Sequence, residues 1–171
     1  MKKQDIRIIA KKIRANLDSQ IKYNKDLKII KQIKNNVNYK EAKIIGIFNP
    51  FNSEINIELL KDNNKSFAYP KMVDKRIAFI LTDNKTKWEI NKFGINEPIK
   101  GKIVSDNIDL LIVPALAVNK NNYRIGYGMG YYDAYIAEHK PKYTIGIIYE
   151  ELKIEFNEDP WDIALNEIIS S

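Results

Sequence analysis

Four short apolar runs constrain this chain most: KIIGIF (43–48), RIAFILT (76–82), DLLIVPALAV (109–118) and YTIGIIYE (143–150). Each is rich in β-branched residues and close to continuously apolar, where a half-wet strand would alternate. Such runs read as strands covered on both faces, which is the habit of parallel sheets flanked by helices. The segments between them supply the cover. Residues 3–18 carry Ile6, Ile9, Ala10, Ile13 and Leu17 at steps of three and four, one helical stripe. A second, weaker stripe over 24–37 uses Leu27, Ile30, Ile33 and Val37. Residues 54–61 are expected to form a helix with Ser53 as its N-cap, and GYYDAYIAEH (130–139) a helix with Tyr132, Tyr135 and Ile136 on one face. KWEI (87–90) reads as a short edge strand. Asn49-Pro50 and Asp83-Asn84 mark turns, and Pro114 is expected at the C-terminal end of its strand because it donates to no ladder. The tail from 158 turns at Pro160 and ends in a short helix or strand. The pattern predicts an α/β sandwich with a largely parallel sheet. At 171 residues, without repeat or low-complexity linker, the chain reads as a single domain over 1–171.

Composition narrows the chemistry. There is no cysteine and one histidine, His139, so thiolate nucleophiles, Cys-ligated zinc or iron–sulfur centres and multi-histidine metal sites are excluded. Any catalysis rests on carboxylates, Lys, Arg, Tyr and backbone amides. His139 is expected at an exposed helix end, without a chemical role. The start, MKKQDIRIIAKKIRANL, is basic but has no apolar core region, so it reads as mature soluble sequence, and no run approaches the ~20 residues that span a bilayer. The net charge of +6 is spread over dispersed lysines, which argues for solvated surface and against a nucleic-acid partner. A modest positive field also suits a small polyanion such as a nucleotide. The expectation is a cytoplasmic monomer acting on small molecules, with neither membrane nor nucleic acid as partner.

The informative stretch is Arg124-Ile-Gly-Tyr-Gly-Met-Gly-Tyr-Tyr-Asp133. The chain has seven glycines, and Gly126, Gly128 and Gly130 fall within five residues. Between a buried strand and a helix, glycines permit positive φ and close approach of a ligand to the backbone. Amides converging on a helix N-terminus favour an anion, and Arg124 adds a bidentate phosphate partner. The spacing fits neither the P-loop nor the dinucleotide fingerprint. Two readings stay open on these grounds: a phosphate-cradling loop, and a tight glycine turn with no ligand. Tyr127, Tyr131 and Tyr132 are available to stack on a heterocycle, although Tyr132 and Tyr135 also have the spacing of core residues.

RIGYGMGYYD, preceded by DLLIVPALAV, resembles the signature of the 5-formyltetrahydrofolate cyclo-ligases, with every glycine, the tyrosine pair and the aspartate in register. Weaker echoes span nearly the whole chain: Lys3-x-x-Ile6-Arg7, Glu54 after an aromatic-Asn-Ser turn, Tyr69-Pro70-Lys71, Glu97-Pro98 and Pro160-Trp-Asp162. The resemblance implies a three-layer α/β/α sandwich related to the sugar-isomerase and CoA-transferase folds. It implies ATP- and magnesium-dependent closure of 5-formyltetrahydrofolate to 5,10-methenyltetrahydrofolate. By the same resemblance ATP is cosubstrate, contacted by Lys3, Arg7, Arg124, Gly126, Gly128, Met129, Gly130, Tyr131 and Tyr132, with Arg124 and Tyr131 nearest the chemistry. Glu54 and Tyr127 would bind the folate, and Asp133 and Asp162 would hold Mg2+. Arg7 lies ~40° from Lys3 and Arg14 ~20° from Arg7 on a helical wheel, so the three form a basic edge beside the apolar stripe. Ala115, Val118, Asn121-Asn122-Tyr123, Met129 and Ser170 depart from the usual pattern without removing a charged or glycine position. Two other classes remain: a nucleotide- or phosphometabolite-binding module without turnover, and a basic RNA-binding domain.

Overall fold

The computed structural model describes all 171 residues. Helices α1 (Lys3–Ala15), α2 (Ser19–Asn35) and α3 (Val37–Glu41) precede the first strand, and α4 (Tyr131–His139) follows the glycine segment. The strands are β1 (Ile44–Gly46), β2 (Ser66–Val73), β3 (Arg76–Thr82), β4 (Trp88–Ile90), β5 (Asn96–Pro98), β6 (Leu110–Pro114), β7 (Ala117–Val118), β8 (Arg124–Ile125), β9 (Thr144–Ile148) and β10 (Glu167–Ser170). One six-stranded sheet runs in the order β10-β9-β6-β1-β2-β3, and β4-β5 and β7-β8 form two small ribbons. All neighbours in the large sheet are parallel except β2 and β3. No helix is long and apolar enough to cross a membrane.

The pleat explains why the runs are continuously apolar. Ile45, Ile47, Leu110, Ile112, Ile145 and Ile147 join the core beneath α2 and α3, with Ile29, Ile30, Ile33 and Tyr39. Leu111 and Val113 point the other way, into a second core with Phe79, Tyr135 and Ile136 of α4. Two apolar layers on opposite faces of one sheet make the expected α/β/α sandwich. Gly46 packs closely against the second layer. A Cβ there would lie 2.8 Å from Leu111 Cδ1 and 3.2 Å from Phe79 Cε1. Gly46→Val is therefore expected to destabilise the protein by about 2 kcal/mol through overpacking, read as a fall in Tm of about 4–8 °C by calorimetry.

Several boundaries differ from the sequence reading, each for a local reason. α2 begins at Ser19, capped by the Asp18 carboxylate, which accepts from the Gln20 and Ile21 amides. Its buried stripe is Asp26, Ile29, Ile30 and Ile33, whereas Leu27 and Val37 are exposed. Asp26 belongs in that stripe because it is saturated: it accepts from Tyr149 Oη (2.6 Å), Lys22 Nζ (2.7 Å) and the Asn56 amide (3.2 Å). The helix expected over 54–61 shrinks to a 3-10 turn at Ile57–Leu60. Burial of Ile55, Ile57 and Leu60 does not fit an α-helical face, and Ser53 caps nothing because its Oγ accepts from Arg14 Nε (3.2 Å). Strand β2 went unread because Pro70 interrupts it. β1 pairs with β2 only over Ser66–Ala68, so beyond that point one side of β2 has no ladder to supply. Pro114 does end its strand, and the tail closes as strand β10. His139 is half-buried, with Nδ1 2.6 Å from Asp106 Oδ1 and its ring stacked on Tyr135.

Candidate functional site

From β1 the chain proceeds to β2 and β3 on one side; from β6 it proceeds to β9 and β10 on the other. The connections leaving the carboxyl ends of the two central strands thus run in opposite directions, the place where open α/β sheets leave a crevice. A cavity of about 660 Å3 lies there. Its walls are the segment after β1 (Phe48, Asn49, Phe51, Glu54), Pro114 at the end of β6, and the loop from β8 into α4. Lys3 and Arg7 of α1 and the tail residues Asp159, Trp161 and Asp162 complete one end. Every residue singled out from the sequence as a site residue lines this single cavity: Lys3, Arg7, Glu54, Arg124, Gly126, Tyr127, Gly128, Met129, Gly130, Tyr131, Tyr132, Asp133 and Asp162.

The glycine loop is exposed to the cavity, not sealed in the core. None of the backbone amides of residues 126–130 donates to an acceptor of the chain. Gly128 (φ 103°) and Gly130 (φ 70°) supply the left-handed turns that aim this run, and Gly130 caps α4. Side chains hold the bend from below. Arg7 Nε donates to the Gly126 carbonyl (2.8 Å). Arg124 is buried beneath it, with Nη1 donating to the Pro114 carbonyl (3.2 Å) and its guanidinium 5.2 Å from the Tyr132 ring centre. A Cβ at Gly126 would fall 2.5 Å from Arg124 Nη1, so only glycine lets the loop lie on that guanidinium. Burial lowers the pKa of Arg124, and the charges of Asp133 and Asp162 oppose the shift. Arg124 Nη2 is 3.8 Å from Asp133 Oδ2, while its Nε is buried without a partner. Arg124 thus supports the loop from within. Tyr132 both lines the cavity and packs on the α4 core, and Tyr135 is core alone.

At the α1 end, Lys3 Nζ bridges Asp159 (2.6 Å) and Asp162. Partial burial pulls the Lys3 pKa down, but the hydrogen bonds to Asp159 and Asp162 outweigh it and the net shift is upward. Asp162 Oδ2 also accepts from the Asp159 amide (2.8 Å). At the far end Glu54 is buried, accepting from the Phe51 amide (2.8 Å). Burial raises its pKa; the Phe51 amide, the Arg14 charge and the Tyr127 hydroxyl restrain the rise.

Sequence reasoning assigned no role to part of this wall. Asp159 lies three residues before Asp162, and that spacing across Pro160 was the available signal. Glu97 is buried and accepts from the Met72 amide (3.0 Å) and Asn91 Nδ2 (3.1 Å), which keys the β4–β5 ribbon onto β2. That ribbon carries Phe93 over the cavity, 6.4 Å from Tyr131, with Gly94 at positive φ as its turn marker. Arg14, read as part of a basic edge, is buried instead.

The chain matches the model of the 5-formyltetrahydrofolate cyclo-ligase family over residues 1–171. Among curated proteins it is 36% identical to the 5-formyltetrahydrofolate cyclo-ligase of Mycoplasma pneumoniae, covering 75% of this chain and 73% of that protein. It is 27% identical to that of Haemophilus influenzae, covering 98% and 97%. Among solved structures, a 5,10-methenyltetrahydrofolate synthetase from Mycoplasma pneumoniae superposes with a TM-score of 0.79 at 29% identity, covering 99% of this chain and 98% of that one. The corresponding synthetase of Aquifex aeolicus gives 0.89 at 25% identity, with 99% and 90% covered.

Proposed function

The chain belongs to the 5-formyltetrahydrofolate cyclo-ligase family, and from that premise we propose how its cavity serves the ATP-dependent closure of 5-formyltetrahydrofolate to 5,10-methenyltetrahydrofolate. The observation that carries the reading is the row of unpartnered amides at 126–130 sharing one cavity with Lys3 and Arg7 at one end and buried Glu54 at the other. A formyl amide resists attack because its nitrogen donates into the carbonyl. Transfer of the terminal phosphoryl group of ATP to the formyl oxygen, with ADP departing, turns that oxygen into a leaving group. N10 then bonds to the formyl carbon and gives up its proton, the carbon–oxygen bond breaks, and phosphate leaves carrying that proton.

For such chemistry the protein chiefly positions reactants and stabilises charge. The amides of 126–130, with Lys3 and Arg7, bind the phosphates; Arg124 holds the loop in shape and adds positive charge from beneath. Tyr131, at the first turn of α4, faces the region where phosphoryl and formyl groups meet. Glu54 suits the adjacent N–H donors of a pterin, and Tyr127 closes that end. Asp133 and Asp162 are the carboxylates for magnesium. Both line the same cavity, Asp133 beside Arg124 (3.8 Å) and Asp162 on Lys3, and two carboxylates suit an ion that takes its remaining ligands from phosphate and water. Bound there, magnesium supplies charge neutralisation at the phosphates. In this reading the chain acts on small molecules, as a monomer and in the cytoplasm.

The test is turnover. Purified protein with 5-formyltetrahydrofolate, ATP and magnesium is expected to form the methenyl product, followed by its near-ultraviolet absorbance, and omission of ATP is expected to stop it. No product above a no-enzyme control overturns the proposal. Thermal stabilisation by ATP without product would instead favour a binding module.

A further inference from the structure

Arg14 is an arginine with 5% of its surface exposed, and it does not line the main cavity. It lies directly behind it. Its Nε donates to Ser53 Oγ (3.2 Å), the residue before Glu54, and its Nη2 donates to Tyr127 Oη (3.0 Å). One guanidinium therefore grips both segments that bring Glu54 and Tyr127 to the cavity. A space of about 10 Å3 behind Glu54 is shared by Arg14 and Tyr149, so the charge sits in a nearly dry setting. No ion pair within 4.0 Å joins Arg14 to Glu54; Arg14 acts on it through its charge and through Ser53 and Tyr127, the two residues it holds. Since Tyr127 Oη accepts from Arg14, its own hydrogen is free to be donated to the Glu54 carboxylate.

We propose that Arg14 is a positioning residue for folate binding: through Ser53 and the Tyr127 hydroxyl it fixes the Glu54 carboxylate, charged and aimed, at the substrate end of the cavity. The inference rests on the reading of Glu54 as the pterin-binding carboxylate. The physical need is clear from burial. A carboxylate out of water tends to take up a proton, and a protonated Glu54 no longer matches the donors of a pterin. The groups facing Glu54 are Arg14 from α1, Tyr127 from the glycine loop, Tyr132 from α4 and the Phe51 amide from its own segment. Of these, Arg14 alone brings a positive charge. Without it the Glu54 pKa rises, the protonated fraction grows as pH falls, and folate binding weakens about tenfold per pH unit below the raised pKa.

The experiment compares wild type, Arg14→Met, Arg14→Lys and Glu54→Gln between about pH 5.5 and about pH 8.5. For Arg14→Met, KM for 5-formyltetrahydrofolate is expected to climb steeply toward low pH and return near the wild-type value at the alkaline end, with KM for ATP and kcat within about twofold. Arg14→Lys, which keeps the charge, is expected to flatten the profile again. Glu54→Gln is expected to show a high KM without that slope. Carboxyl 13C NMR of ligand-free protein reads the Glu54 titration directly, and its midpoint is expected to move up in Arg14→Met. A KM raised equally at all pH values with an unmoved Glu54 titration would overturn the proposal and leave Arg14 as scaffolding. Absence of turnover in wild type would instead strike the proposed reaction, while the NMR midpoint would still decide the coupling of Arg14 to Glu54.

Discussion

Gly128→Val is expected to lower kcat/KM for ATP by about three orders of magnitude while Tm changes by no more than about 2 °C. Gly128 has φ 103°, a conformation that a β-branched residue does not tolerate, and a Cβ there would stand 3.4 Å from Arg7 Cζ. The strain, about 1–3 kcal/mol, is relieved by turning the peptide, because the loop is exposed and no chain acceptor anchors its amides. Turning the peptide redirects the amides on either side. Two lost hydrogen bonds to a charged phosphate, at about 1.5–3 kcal/mol each, account for the predicted loss. Stability is spared for the same reason that activity is not: the loop contributes little to either core. Gly130 provides the contrast. Its φ of 70° suits asparagine, and nothing stands within 4 Å of a Cβ there, so Gly130→Asn is expected to stay within about fivefold of wild type. Steady-state kinetics in ATP with parallel thermal melts decide both. Gly128→Val retaining more than about a tenth of wild-type kcat/KM would show that the amides of the bend do not carry the phosphate.

The same contrast explains what the amino-acid pattern revealed and what it hid. The parallel sheet was legible because β1, β6 and β9 must be apolar on both faces, and nothing but flanking helices can supply that. The glycine wall of the cavity was legible because the Arg124 guanidinium beneath Gly126 and the positive φ of Gly128 restrict both positions to glycine. Strand β2 was not, since Pro70 is forbidden only where a ladder needs its donor, and where β1 stops depends on the register of the whole sheet. Ser53 was misread as a helix cap because local rules cannot foresee Arg14 arriving from α1. Arg14 and Lys3 share a helical face eleven residues apart, yet one is buried and the other bridges two carboxylates. Their separation is a tertiary fact: α1 packs against the β7–β8 ribbon through Ile6, Ala117 and Ile125, with Phe156 beside them, and Arg14 meets Ser53 and Tyr127.

Lys3→Met is expected to act on nucleotide and metal in opposite directions. The end of the cavity proposed for the phosphates carries Lys3, Arg7 and Arg124 against Asp133, Asp159 and Asp162, equal numbers of each sign. Its side chains alone therefore offer a triphosphate no net attraction, and the Lys3 ammonium is already engaged by Asp159 and Asp162. A divalent cation at Asp162 would compete with that ammonium and free it for phosphate. Removing the ammonium loses one charge-assisted contact, about 1.5–3 kcal/mol, so kcat/KM for ATP is expected to fall by about 10²-fold. The same removal leaves Asp159 and Asp162 without their cation. Calorimetric titration of nucleotide-free protein with Mn2+ is then expected to show tighter binding in Lys3→Met than in wild type, and Asp162→Asn is expected to abolish the gain. Were Lys3 only a phosphate contact, Mn2+ affinity would not move; were it only a structural clamp on the tail, Tm would fall and both affinities with it. Opposite shifts distinguish an ammonium that exchanges between carboxylates and phosphate from either simpler role.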